Sequence, residues 1–159
     1  METREIIIPF GRYKGTIVEK IMINQPGYID WLLREGLDDK FKYLLEHINL
    51  CIMRFDNKPF AKQCMGTENK VRCGNIATRI SLYPGNLTTY FWCDQCNPYQ
   101  FGAQKGLAII STYRDALDYV HYHCGNSNPD FRFLIKQLSE LKGLTGRKTS
   151  NNILSFFHS

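Results

Sequence analysis

The chain has 159 residues, 43% of them apolar and 13% aromatic, which suffices for one domain with a core or two small modules sharing an interface and excludes a disordered polymer. A formal net charge of +5 favours a polyanionic partner without requiring one. No segment approaches the roughly 20 apolar residues of a membrane-spanning helix, and Met1-Glu2-Thr3-Arg4-Glu5 lacks signal-peptide character, so the expectation is no membrane and an intracellular location, cytoplasmic or nuclear, where thiols stay reduced.

In chain order, Ile6-Ile7-Ile8-Pro9-Phe10 reads as a short apolar strand, and Gly11-Arg12-Tyr13-Lys14-Gly15 as a turn whose glycines tolerate positive φ. Thr16 has the chemistry to cap a brief helix over Ile17 to Ile21. Pro26 suits the first turn of a second helix, Gly27 to Arg34, placing Tyr28, Trp31 and Leu32 together on an inward face. After Gly36, Leu37, Phe41, Leu44, Leu45, Ile48, Cys51, Ile52 and Phe55 keep the three-and-four spacing of a helix packed on a core.

Pro9-Phe10-Gly11-Arg12-Tyr13-Lys14-Gly15, followed by Pro26-Gly27-Tyr28-x2-Trp31-Leu32-Leu33, resembles the small domain at the C-terminus of exonuclease X-like proteins, with Arg12 where that family usually carries Lys. The resemblance covers about the first 45 residues. It implies an accessory nucleic-acid-binding role beside nuclease or repair enzymes and does not imply catalysis. The turn chemistry fits this: Arg12 and Lys14 can meet phosphates while Tyr13 stacks on a base. The alternative is a Tyr13 packed inward between two solvated charges.

The next stretch reads Cys64-x8-Cys73-Gly74, an alternating run, then Phe91-Trp92-Cys93-x2-Cys96. Residues 76–83 and 87–92 are rich in Ile, Thr, Tyr, Phe and Trp, and Pro84-Gly85-Asn86 has turn chemistry, so the segment reads as a β-hairpin. A hairpin brings Cys64 and Cys73 to Cys93 and Cys96, the arrangement of a zinc ribbon holding one structural Zn²⁺. The eight-residue gap makes one knuckle stretched and the other tight. Ordinary buried thiols or disulfides are the alternative. Lys70, Arg72 and Arg79 around the ribbon are further candidates for nucleic-acid contact, or simply a solvated face.

A loop over 97–102 and a short apolar run over 107–110 follow. Thr112-x2-Asp115 has capping-box spacing and opens a helix with the stripe Tyr113, Ala116, Leu117, Val120 and Cys124. His121 and His123 diverge on a helix, which disfavours a second metal site with Cys124. Asn128 as cap and Pro129 at the first position start a further helix to about Lys142, with Phe131, Leu134, Ile135, Leu138 and Leu141 inward. From Gly143 the composition is that of an exposed, flexible tail. Its end, Ser150-Asn151-Asn152-Ile153-Leu154-Ser155-Phe156-Phe157, resembles the PIP-box peptide by which replication proteins bind a sliding clamp, with Ser150 where Gln is preferred. Ile153, Phe156 and Phe157 are the partner-binding candidates that this implies; folding back onto the domain is the alternative.

The expected organisation is thus α+β: a module over 1–58 like that of exonuclease X, a ribbon over 59–106, helices over 107–143 and a tail over 144–159. No Walker loop, deaminase signature or clustered carboxylate set is present, and the expectation is a non-enzymatic role. That role is a zinc-containing DNA- or RNA-binding accessory factor in replication, repair or recombination, with a sliding clamp or a nuclease or replication protein as possible partner. A protein-interaction adaptor and a small Mg²⁺-dependent nuclease are the alternatives.

Overall fold

The computed structural model describes residues 5–68, 70–82, 89–96 and 108–159. The expected turn over 84–86, the loop over 97–102 and residue 107 of the following run lie outside the described residues. The fold is mixed: among the described residues six α-helices surround a core, and Cys64, Cys73, Cys93 and Cys96 flank two small antiparallel sheets.

The expected first strand is reduced to a single bridge, Ile7 to Ile17. Pro9 lacks the N–H that would extend the ladder. Ile8 N–H still donates to Thr16 O at 2.9 Å and Gly15 N–H to Ile8 O at 2.8 Å, closing the loop around a 3-10 turn at Gly11–Tyr13. Gly11 at φ 73° and Gly15 at φ 89° hold the left-handed conformations that this closure requires.

Helix α1 (Val18–Asn24) begins after Ile17, and Thr16 does not cap it. Pro26 opens α2 (Pro26–Glu35), which stops at Gly36, φ 77°. A second 3-10 turn, Asp39–Phe41, leads into α3 (Lys42–Asn57), which buries Leu44, Ile48, Cys51, Ile52 and Phe55 on the expected stripe. The face of α2 is corrected: Ile29, Asp30 and Leu32 are buried, whereas Trp31 is 51% exposed.

Strands β1 (Thr67–Glu68) and β2 (Val71–Arg72) form a minimal hairpin. Strands β3 (Arg79–Leu82), β4 (Thr89–Trp92) and β5 (Ala108–Ile110) form an antiparallel sheet in the order β4-β3-β5, with Ile80 opposite both Phe91 and Ile110. The expected ribbon hairpin is β3–β4. Helix α4 (Tyr113–His123) starts with the expected capping box: Asp115 N–H donates to Thr112 Oγ1 and Thr112 N–H to Asp115 Oδ2, both at 3.1 Å. Helix α5 (Asn128–Leu141) is capped by Ser127, one residue earlier than expected, and its inward residues are those of the sequence stripe.

The C-terminal expectation is overturned. Residues 150–158 form α6 (Ser150–His158), capped by Thr149 Oγ1 and packed across α1 and α3. Ile153, Phe156 and Phe157 are buried, so the three side chains proposed for a partner's groove fill the chain's own core. The rings of Phe156 and Phe157 lie 5.9 and 6.4 Å from that of Phe55. A nine-residue helix is too short to persist alone in water. Docking therefore supplies its stability, at about 1.5–3 kcal/mol for each large apolar side chain buried.

Truncating Phe157 to Ala is expected to destabilise the protein by about 3–5 kcal/mol, and truncating the exposed Ser155 to Ala by less than about 0.5 kcal/mol. Urea unfolding followed by circular dichroism measures both; equal midpoints for the two variants would mean that the helix is not docked.

Candidate metal centre and aromatic face

The stretched knuckle is built by inserting a hairpin into it. Cys64 N–H donates to Asn75 O at 2.9 Å, and Cys73 N–H to Gly66 O at 3.0 Å, so the chain leaves and returns at the same level. The β1–β2 hairpin occupies the excursion, with Lys70 at φ 67° in its turn. An eight-residue gap thereby brings its two thiols as close as a tight knuckle would. Met65 N–H donates to Phe91 O at 2.9 Å and Thr78 N–H to Trp92 O at 2.9 Å, which fastens this knuckle to β4 and hence to Cys93 and Cys96.

All four sulfurs lie within 4.8 Å of one another, with Cys73 Sγ 4.0 Å from Cys93 Sγ and no disulfide formed. A tetrahedral ion with metal–sulfur bonds of about 2.3 Å would space its ligands about 3.8 Å apart. The four thiols therefore fit a single metal ion with little rearrangement. Cys64 is fully buried, Cys93 4% and Cys96 8% exposed. Gly66 is required for the close packing: a Cβ there would fall 2.3 Å from Cys96 Sγ and 3.3 Å from Cys64 Sγ.

Backbone amides support the sulfurs. Gly66 N–H and Cys93 N–H each donate to Cys64 Sγ at 3.2 Å, and Asn75 Nδ2 lies 3.7 Å from Cys93 Sγ. Burial pushes the Cys93 thiol up, but the Cys96 amide, the Asn75 side chain and the Gln95 amide outweigh it and bring it down to about 6. Burial, reinforced by the neighbouring thiols, pushes Cys96 well above its ordinary value. A cation between them is what would let all four carry charge together. Four sulfur ligands leave no open coordination position, which suits a structural ion and not one that activates water.

Around this centre, Asp94 accepts from Thr78 Oγ1 at 2.6 Å and from the Arg79 guanidinium, bracing the tight knuckle. Arg79 is thus half-buried and paired with Asp94, whereas Lys70 and Arg72 are exposed on the β1–β2 hairpin.

The N-terminal candidates form a second surface. Arg12 and Lys14 are exposed, and Tyr13 between them is half-buried. The Tyr13 ring meets Tyr28 edge-on at 4.8 Å, and Tyr28 stacks on Trp31 at 5.7 Å with 25° between planes. Arg12 Cζ stands 5.7 Å from the centre of the Tyr13 ring. The row continues at Arg34, whose Cζ lies 5.5 Å over Tyr122, and Arg34 is itself held by Asp30 at 2.9 Å and Asp118 at 2.9 Å. A cavity of about 290 Å³ opens beside Trp31, lined also by Gly27, Asp30, His121, Asn126 and Phe131. His121 Nδ1 pairs with Asn126 Oδ1 at 2.7 Å, and the His123 ring lies against Tyr119 at 5.1 Å.

Sequence reasoning missed two features. The expected inward Trp31 is one, since it sits one position off the buried Ile29–Leu32 stripe. Glu19 and Asp30 are buried carboxylates, and Glu19 converges with His47 and Cys51 from α3. The four-residue interval between His47 and Cys51 was the available signal.

Gly66→Ala is expected to weaken metal binding about 10- to 100-fold, the effect typical of disturbing a ligand's immediate supports. Competition against a chromophoric chelator measures it, and unaltered affinity would mean that the sulfurs do not share an ion. Among known families, Exodeoxyribonuclease X-like C-terminal matches residues 8–35, under a fifth of the chain and the segment that carries Arg12, Tyr13, Lys14, Tyr28 and Trp31. Neither the curated proteins nor the solved structures contain a match to this chain.

Proposed function

We propose that this protein is a nucleic-acid-binding accessory factor, stabilised by one structural Zn²⁺ on Cys64, Cys73, Cys93 and Cys96, that engages an unpaired strand through its N-terminal aromatic face. The observation that carries the reading is the Arg12–Tyr13–Tyr28–Trp31 row inside the segment that resembles an exonuclease-associated domain. Exposed cations beside stacked, accessible rings are what a flexible strand recognises: phosphates meet Arg12 and Lys14, and a base stacks on Trp31. Duplex DNA hides its base faces and has no use for the tryptophan. Lys70 and Arg72, displayed on the β1–β2 hairpin, give a second cationic contact.

Zinc is the ion of choice because four thiolates in a closed tetrahedron match its preference and it brings no redox chemistry. Work in replication, repair or recombination follows by analogy with the exonuclease-linked family and rests on that analogy alone. A clamp-binding tail is not part of the proposal, since Ile153, Phe156 and Phe157 are already committed to the core.

Fluorescence anisotropy with labelled single-stranded and duplex DNA and with RNA, at two salt concentrations, tests this. Trp31→Ala should cost about 1–3 kcal/mol of single-strand affinity, the worth of one stacked base. Arg12→Ala and Lys14→Ala should each lower the slope of log affinity against log salt by about 0.7. Trp92 is 4% exposed and Trp31 51%, so strand binding should quench tryptophan emission in the wild type and leave it unchanged in Trp31→Ala. Binding that ignores both salt and Trp31 would overturn the proposal.

A further inference from the structure

A second set of ligating atoms converges away from the four cysteines. Helix α1 points Glu19 inward, 2% exposed, and α3 presents His47 and Cys51 one turn apart on the facing side. Glu19 Oε1 lies 2.6 Å from His47 Nε2, and Cys51 Sγ lies 3.5 Å from each of them. The geometry points to a metal-binding site for a divalent cation of zinc type, held by Glu19, His47 and Cys51.

The donor set fits such an ion. With metal–nitrogen and metal–oxygen bonds of about 2.0 Å and a metal–sulfur bond of about 2.3 Å, tetrahedral ligands stand about 3.5 Å apart when one is sulfur and about 3.3 Å apart otherwise. Both sulfur distances already have that value. Only the Glu19–His47 contact must open, by about 0.7 Å, as a hydrogen bond gives way to two bonds to the ion. One carboxylate and one thiolate neutralise a dication, which makes the buried site electrically balanced.

The fourth side is closed by α6, where His158 Nε2 lies 3.6 Å from Glu19 Oε2 and Arg54 Nη1 holds its Nδ1 at 3.1 Å. Three protein ligands with a fourth position beside an imidazole would tie α1 to α3 beneath the C-terminal helix. Nucleophilic use of Cys51 does not compete with this reading. The thiol is fully buried, and the imidazole nitrogen that would activate it is the one already bonded to Glu19.

Elemental analysis of the full chain, purified and dialysed against excess zinc, should give two equivalents of metal per chain. His47→Gln and Cys51→Ala should each give one. Cobalt substitution provides a readout that does not depend on variants folding: the wild type should bind a second cobalt ion whose charge-transfer band has the intensity of a single thiolate, distinct from the four-thiolate spectrum. A wild type that takes up no metal beyond the four-cysteine equivalent, or variants that keep the full complement, would overturn the site. Failure of the four-cysteine centre has a different signature, one equivalent that is lost in Cys51→Ala and kept in Cys93→Ser.

Discussion

The packing of Phe55 is the contact on which the helical body depends. Its ring is fully buried near the end of α3, edge-on to Tyr113 of α4 at 5.2 Å and against Phe156 and Phe157 of α6. Most of the stability of these helices comes from the packing of their apolar stripes against one another rather than from helix propensity. Tyr113, completely enclosed, satisfies its hydroxyl by donating to Met22 O of α1 at 2.7 Å. One cluster of four aromatic rings thereby joins the N-terminal helices, the central pair and the C-terminal helix. The same cluster is roofed by a lysine: Lys142, 4% exposed, donates to Asp56 O at 2.7 Å and to Lys58 O at 3.2 Å and lies 4.4 Å over the Phe60 ring. It satisfies carbonyls at the end of α3 that no longer have a helical partner.

This body positions the four-cysteine cluster. Ala61 N–H donates to Leu141 O at 2.7 Å, tying the segment that leads to Cys64 to the end of α5. Thr89 Oγ1 reaches Gln137 Oε1 at 3.4 Å, and β5 runs through Ser111 into the capping box of α4. Backbone pairing holds the strands around the sulfurs in register, and the helices fix where that cluster points. Trp92 shows how the two meet: its ring is buried beside Cys93 while its Nε1 donates to Ser81 Oγ at 2.6 Å across the hairpin.

Much of this was legible in the sequence because the signals were local. The Thr112–Asp115 capping box, the α3 and α5 stripes and the convergence of four cysteines each rest on spacings of a few residues or on one hairpin. The failures share one cause. Periodicity says which side of a helix is apolar and is silent on what covers it. Ile153, Phe156 and Phe157 make an apolar face in any environment, and only the trough between α1 and α3 makes it a core face. Trp31 fails in the opposite sense: it neighbours the apolar stripe of α2 but is left about half exposed. Ser127 displaced Asn128 as cap because both have capping side chains and the choice depends on where the preceding Gly125 turn delivers the chain. Of the Glu19–His47–Cys51 convergence the sequence carries only the His47–Cys51 interval, because Glu19 joins it from another helix through tertiary packing.

The hairpin set into the long knuckle has one more consequence. Cys73 closes onto the carbonyl of Gly66, so the ring of chain around the sulfurs is complete beneath β1 and β2. What lies beyond that closure is a hairpin attached at two points that carries none of the four sulfurs. Its length and its cationic tip at Lys70 and Arg72 are free to drift, or to be grafted by design, while the anchor stays fixed, which makes this corner the natural place for the protein to acquire a new specificity without refolding.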